Sequence, residues 1–288
     1  MTNIDLDILR RCYAEELRCT APILRNDAVA QAFATVPREQ FLPSGPWRII
    51  PPWRKAYTTP DADPRWLYHN VLVAIDEARD LNNGEPRFWA YLLDQLDVRP
   101  GDTVLHVGAG TGYYSAIFQE ISGRDGRVVA IEYDEELAAT AKRNLEDRHR
   151  IEVIQGDGTA YVPGPVDVII VNAGVTHPAP SWLDALKPGG RLLLPLTAED
   201  RSGFYFRIER CEDGYAARAI SRVGIFHCGG SGRDAALAAR LQHLVRRGRG
   251  KFPPVRSLHR GAPPKGRSVW YHGPDFWLSK KPLASSMH

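Results

Sequence analysis

Between Gly101 and Leu196 the sequence changes rhythm, and that rhythm constrains the fold more than any other feature. Short, almost continuously apolar runs, "TVLHVG", "RVVAIEY", "IEVIQGD", "VDVIIVNAG" and "RLLLPL", alternate with segments of helical character, "GYYSAIFQEIS", "DEELAATAKRNLEDR" and "SWLDALK". An apolar run without polar alternation suits a strand covered on both faces, and such strands separated by helices build a parallel sheet. Asp134 is placed to cap the second helix, with acidic residues in its first turn; Ser181 is placed to cap the third, which "PGG" should stop. Two further runs, "GFYFRIER" and "YAARAISRVGIF", joined by "CEDG", read as an antiparallel hairpin at one sheet edge. The expectation is an α/β fold, Rossmann-like, with a mostly parallel seven-stranded sheet.

Upstream, residues 5–42 read as helical. Leu6, Ile8, Leu9, Tyr13 and Leu17 recur at helical spacing, and a second segment runs from Asp27 to about Ala34. The proline- and tryptophan-rich stretch from Val36 to Trp66 has no steady period and predicts ordered but irregular chain wrapping a domain edge. Residues 86–97 open on Pro86 and bring Phe88, Tyr91, Leu92 and Leu96 to one helix face. After the hairpin come one more helix over 234–247, a Pro/Gly/Arg-rich segment and an aromatic finish, "SVWYHGPDFWL". No internal repeat is visible. The division this suggests is a helical and irregular cap over 1–85, a ligand-binding domain over 86–229, and a basic extension over 230–288.

Charge is distributed unevenly along the chain. From Gly229 onward twelve basic residues face two acidic ones, a surplus of ten, while the preceding residues carry a deficit of seven within the formal net charge of +3. Arg246, Arg247, Arg249 and Lys251 could draw an acidic partner, or the tail could be a solvated basic face on an acidic body. Trp270, Tyr271, Phe276 and Trp277 could wall a site or anchor the chain end. Neither a signal sequence nor an apolar run of about 20 residues is present, so no membrane association is expected. Cys12, Cys19, Cys211 and Cys228 form no C-x-x-C pair and no metal-like cluster, which reads as reduced structural thiols in a cytoplasmic protein with no metal site.

The chemistry gathers where the strands end. In "VLHVGAGTGYYSA" the glycines fall at 108, 110 and 112, G-x-G-x-G rather than the dinucleotide fingerprint G-x-G-x-x-G. In an open parallel sheet, ligands bind beyond the C-terminal strand ends. Glu132 ends the second strand, placed to accept bonds from ribose hydroxyls, with Tyr133 after it. "QGDG" puts Asp157 and Gly158 at the end of the third, where an aspartate and an N–H could read an adenine edge. "VNAG" puts Asn172 at the end of the fourth, at the mouth where a reactive group would lie. Each could be only a turn; together they point to an adenosine-bearing cofactor.

The order "VLHVGAGTGYYSA … VVAIEYD … GDG … VDVIIVNAG … ALKPGGRLLLPL" resembles class I S-adenosylmethionine-dependent methyltransferases. "LDVRPGDTVLHVGAGTGYYSAI", "LDALKPGGRLLLPL" and "VPREQFLP" are similar, more narrowly, to the protein-L-isoaspartate O-methyltransferase family, over about residues 10–229. The resemblance implies S-adenosyl-L-methionine as cofactor. Gly108, Ala109, Gly110 and Gly112 would line its methionine portion, Glu132 would hold its ribose, Asp157 with Gly158 its adenine, and Tyr133 and Asn172 would be among its binding residues. It also marks two departures. His106 stands where the family usually has an acidic residue near the cofactor's amino group; it is either a neutral ligand or a satisfied core histidine. Before the helix at 86, "LNNGEP" replaces a "T-I-S-x-P" element whose hydroxyls line the acceptor site, so Gly84 takes the serine position. Asn82 and Asn83 could donate bonds to an acceptor carboxylate there, or form a helix cap and turn.

Methyl transfer from a sulfonium needs an aligned nucleophile at ~3–3.5 Å and exclusion of water. A carboxylate is ionised at neutral pH and needs no base; a hydroxyl or amine needs one. Among His69, Asp80, Glu85 and His177, the last is best placed as a base, unless it is simply a loop histidine. The leading expectation is therefore O-methylation of a carboxylate on a peptide or protein, with little activity on isoaspartyl peptides. The alternatives are a small-molecule methyltransferase, a non-catalytic cofactor-binding module, and an NAD-dependent oxidoreductase. A nucleic-acid acceptor is disfavoured because Asn172-Ala173-Gly174 lacks the proline and aromatic that would stack a flipped base. The oligomeric state is not legible.

Overall fold

The computed structural model describes residues 5–21, 24–51, 54–248 and 250–283. In chain order, helices α1 (Leu6–Thr20) and α2 (Asp27–Thr35) precede four short strands, β1 (Arg48–Ile50), β2 (Tyr57–Thr58), β3 (Leu72–Asp76) and β4 (Leu81–Asn82), and helix α3 (Pro86–Leu96). The alternation follows as β5 (Thr103–Val107), α4 (Tyr113–Ser122), β6 (Arg127–Glu132), α5 (Glu135–Asn144), β7 (Ile151–Gln155), β8 (Val166–Val171), α6 (Pro180–Ala185) and β9 (Leu186–Thr197). The hairpin is β10 (Ser202–Cys211) and β11 (Gly214–Gly224). Helix α7 (Ala235–Arg247) and strands β12 (Ser257–Arg260), β13 (Val269–His272) and β14 (Phe276–Ser279) complete the described chain.

Contacts divide the chain into two compact units, one of Met1–Gly101, Ala109–Val128 and Glu136–Val153, the other of Asp102–Gly108, Val129–Glu135 and Ile154–His288. The segments 1–85, 86–229 and 230–288 expected from sequence are consecutive, whereas each of these units is assembled from interleaved stretches of chain.

In the first unit, the Asp5 carboxylate caps α1 by accepting from the amides of Asp7 and Ile8 at 2.9 and 3.3 Å. Tyr13, Ala14 and Leu17 are the buried face of that helix, and Val29, Ala30 and Phe33 are buried on α2. Pro86 occupies the first turn of α3, as the sequence indicates. The irregular stretch holds a small sheet of order β2-β1-β3-β4, antiparallel at every junction. Strands of two to five residues are too short to show a period. Beside it Arg38 is fully buried, donating to the carbonyls of Leu67 and Val71 at 2.7 and 2.8 Å and to Asn83 Oδ1 at 2.6 Å.

The large sheet has the order β13-β14-β12-β11-β10-β9-β8-β5-β6-β7. β8 lies parallel to both β5 and β9, and from β9 outward every junction is antiparallel. The expected seven strands are present; the C-terminal segment adds three more, giving ten. Leu258, Tyr271, Phe276 and Leu278 bury themselves on those added strands, and Trp270 packs on Phe206 with ring centroids 5.5 Å apart. The aromatic finish thus anchors the chain end to the sheet. A second correction concerns "SWLDALKPGG". α6 starts one residue earlier, with Pro180 in its first turn and Ala179 at the cap, while the buried Ser181 hydroxyl has no hydrogen-bond partner. The helix stops at Ala185 because Leu186 is drawn into register with Val166, so "KPGG" lies within β9. Cys12 and Cys19 are exposed on α1 rather than structural, and all four cysteines are free.

Candidate functional site

Hydrogen bonding in the second unit carries the ends of β5, β6, β7 and β8 to one rim. The amide of Gly108 donates to Ile131 O at 2.8 Å, that of Asn172 to Val107 O at 2.7 Å, and that of Gly156 to Glu132 O at 2.9 Å. Asn172 Nδ2 returns a bond to Gly108 O at 3.2 Å. Gly108, Glu132, Asp157 and Asn172, named from sequence, are therefore neighbours along one sheet edge.

The glycine turn itself is held in a conformation L side chains resist. Gly108, Gly110 and Gly112 have φ values of +82°, +57° and +96°. A Cβ at Gly108 would lie 3.1 Å from the Asn172 carbonyl oxygen, whereas one at Gly110 would meet nothing within 4 Å. The Cβ direction at Gly110 thus points into open space. Gly112 then caps α4 without a side-chain hydrogen bond, and Ala109 is 5% exposed.

Glu132 is 8% exposed at the end of β6, where Oε1 accepts from the amide of Asp134 at 3.0 Å; Tyr133 beside it is 54% exposed. Burial works against the charge on Asp157, but bonds from Thr159 and Ser231 outweigh it and hold the carboxyl down at about 2. Gly158 follows, and its carbonyl accepts from Trp182 Nε1 at 2.9 Å. Sequence reasoning missed this role for Trp182. Its signal was a lone tryptophan in an otherwise ordinary helix, which says nothing about what its N–H reaches. His106 is fully buried within β5, and burial pushes its pKa down to about 3. It is neutral at physiological pH and cannot repel a ligand's ammonium.

On the acceptor side, Asn82 Oδ1 accepts from the amide of Gly84 at 3.0 Å, a local turn. Asn83 is 7% exposed, and its side-chain carbonyl is taken by Arg38. Gly84 has φ +78°, and a Cβ there would stand 2.5 Å from Trp89 Nε1. Trp89 in turn stacks on Tyr114 at 3.7 Å between ring centroids. Gly84 is therefore required by its own surroundings. Glu85 accepts from Asn70 Nδ2 at 2.7 Å. In the second unit, His177 Nδ1 lies 3.0 Å from Thr176 Oγ1, and burial lowers its pKa although Asp234 opposes this. It lines a cavity of about 670 Å³ together with Leu183, Leu237, Arg240 and Phe276. Of the basic cluster, Arg246, Arg247 and Lys251 are exposed, and Arg249 lies outside the described residues. Among the described residues, no helix is long and apolar enough to cross a membrane, and no group of three or more His, Cys, Asp or Glu side chains could hold a metal.

A mixed sheet with a glycine turn after one strand, carboxylates after the next two and an antiparallel hairpin beyond is the class I S-adenosylmethionine-dependent methyltransferase fold, shared with solved structures. A solved protein-L-isoaspartate O-methyltransferase superposes with a TM-score of 0.65 at 22% identity, covering 94% of this chain and 87% of its own. A Plasmodium falciparum structure of the same family description, in complex with S-adenosyl-L-homocysteine, superposes at 0.60 with 18% identity, over 76% and 97% of the two chains. The family model described as protein-L-isoaspartate(D-aspartate) O-methyltransferase matches residues 14–226. The Methanopyrus kandleri protein-L-isoaspartate O-methyltransferase is 34% identical over 201 residues, 68% of this chain and 80% of that one. The chain belongs to the protein-L-isoaspartate O-methyltransferase family. It is an S-adenosylmethionine-dependent O-methyltransferase.

Proposed function

We propose that this enzyme methylates a carboxylate carried by a peptide or protein, and that the rim at β5–β8 holds its cofactor. Within that reading Gly108, Ala109, Gly110 and Gly112 present backbone to the methionine portion, and His106 in β5 stays neutral. Glu132 accepts the ribose hydroxyls, Tyr133 and Asp157 with Gly158 flank the adenine, and Asn172 borders the reacting end. The observation that carries the reading is the single hydrogen-bonded edge on which Gly108, Glu132, Asp157 and Asn172 meet. Bound S-adenosylmethionine supplies a methyl group already activated by its sulfonium. The protein's share is to align the acceptor and exclude water.

Family membership supports a protein carboxylate as acceptor, and the chemistry agrees, since an ionised carboxylate needs no general base. His177, the best-placed candidate base, faces Thr176 and the cavity bordered by α7. Asn82 and Asn83 keep their carbonyls within the protein, and the Asn83 amide nitrogen is buried as well, which leaves the Asn82 amide nitrogen as the donor for an acceptor. Because Trp89 excludes any side chain at 84, the acceptor site differs from one built on a serine, and we place isoaspartyl peptides among its weak substrates. A cytoplasmic location belongs to the same reading, supported by four free cysteines. The test is incubation with methyl-labelled S-adenosylmethionine and, separately, isoaspartyl peptide, aspartyl peptide and host lysate. The expected label sits in base-labile protein ester, released as methanol. Label confined to small molecules or resistant to base would overturn the proposal.

A further inference from the structure

Where the family match ends, the chain does not leave the rim. Phe226 O accepts from the amide of Gly174 at 2.7 Å, and the amide of Cys228 donates to Gly174 O at 2.9 Å. Four residues on, Gly232 O accepts from the amide of Thr176 at 3.0 Å, and Thr176 Oγ1 accepts from the amide of Asp234 at 2.9 Å. Arg233 fastens this second point, donating to Gly174 O at 2.9 Å, Thr197 Oγ1 at 2.8 Å and Ala198 O at 3.0 Å. Both ends of the segment are thus pinned to the loop after β8.

Its middle crosses the ends of β6 and β7. The backbone of Gly229 packs so closely on the Tyr133 ring that a Cβ would overlap it. Gly230, at φ +70°, does the same to Asp157 Oδ2. The Ser231 amide donates to Asp157 Oδ2 at 2.8 Å and the Thr159 amide to Oδ1 at 2.8 Å, and the Ser231 and Thr159 hydroxyls stand 2.8 and 2.6 Å from the same two oxygens. Those hydroxyls are also 2.7 Å from each other, and each has one hydrogen to give, so the carboxylate, with about four lone-pair positions, is met by two amides and by a hydroxyl pair that shares its hydrogens with it. Gly230 and Ser231 are exposed, so the bonds Ser231 contributes are the ones water and ligands can reach.

Resting on the assignment of Tyr133 and Asp157 to the adenine, we propose that residues 229–231 form a displaceable strap whose Ser231 competes with the adenine amino group for Asp157. The cofactor then enters by lifting the strap's middle while its ends stay pinned. On entry, an adenine N–H takes the place of the Ser231 donors on Oδ2. A strap of this kind differs from a fixed wall, which would tighten on the ligand.

The test uses the full chain and S-adenosylhomocysteine, read by calorimetry, stopped-flow association and amide hydrogen exchange. Ser231→Ala removes one competing donor and should tighten binding by about fivefold, mainly through faster association. Gly230→Ala, whose added Cβ falls on Asp157 Oδ2, should speed association as well, with thermal melting confirming that it folds. In the unsubstituted protein, exchange of the Ser231 amide should accelerate on binding. Unchanged or weakened affinity in Ser231→Ala, or slower exchange at Ser231, would show a fixed wall and overturn the strap. Asp157→Ala separates the two layers. If it leaves affinity unchanged, the adenine assignment itself fails; if it weakens binding while Ser231→Ala has no effect, only the strap fails.

Discussion

At the scale of single residues, the site depends on backbone conformation and on one carboxylate. Valine at 110 would have to adopt φ +57°, a region costly for a β-branched residue, and would fill the open space over the turn. Gly110→Val and Glu132→Ala should each weaken S-adenosylhomocysteine binding by at least about tenfold, the loss of one or more hydrogen bonds to a charged group. Calorimetry on either variant showing native affinity would remove the rim as cofactor site. His106 makes a prediction of its own. Its folded pKa is about 3 against 6.5 for the free side chain, so below pH 6.5 the unfolded chain binds a proton that the folded one does not. The stability this represents is fully present above pH 6.5 and is lost as pH falls toward 3. Its slope is at most about 1.4 kcal/mol per pH unit. Denaturant melts across that window should show a shallower acid limb in His106→Asn. Gly84 was read from sequence as a missing hydroxyl; the stacked Trp89 behind it, which no local pattern announces, makes it a steric requirement.

At the scale of elements, the helices were the most legible parts. α1, α2 and α7 carry side-chain caps, α3 opens on Pro86, all four have periodic apolar faces within short sequence windows, and each lies within a few residues of where its pattern predicts it. α6 is the exception, because pairing of Leu186 with Val166 is a long-range decision that overrides a local stop signal. The four short strands before α3 were illegible for the opposite reason, having too few residues to repeat. α6 also reaches into the site through Trp182. Trp182→Phe keeps the apolar bulk but leaves Gly158 O without its donor, which should cost about 1–3 kcal/mol of stability and weaken cofactor binding. Equal melting temperatures and equal affinities for the two proteins would show that this bond does not support the rim.

At the scale of the whole molecule, the C-terminal extension decides what counts as a domain. Read from composition it is a basic appendage; in the structure β12 pairs with β11 through Tyr215↔Leu258, and β14 and β13 follow outward. Tyr271 Oη donates to Thr176 O at 2.6 Å in a buried bond. A chain ending at Gly229 would expose the β11 edge and the apolar surface that Leu258, Tyr271 and Leu278 cover. It should be insoluble or aggregate, judged by size-exclusion chromatography and circular dichroism beside the full chain. A soluble, monomeric truncation with native ellipticity would restore the view of an independent tail.

The class of fold and the rim where we propose that the cofactor binds were legible in the sequence alone, because burial on both faces and glycine-dependent turns leave their marks within a few adjacent residues. Only the tertiary structure decided that the described residues put ten strands in the sheet, that Trp89 leaves no room for a side chain at Gly84, and that Ser231 reaches Asp157. Each of those depends on which distant segment arrives at a given edge, and hydrogen bonds between residues 74 positions apart leave no periodic trace along the chain.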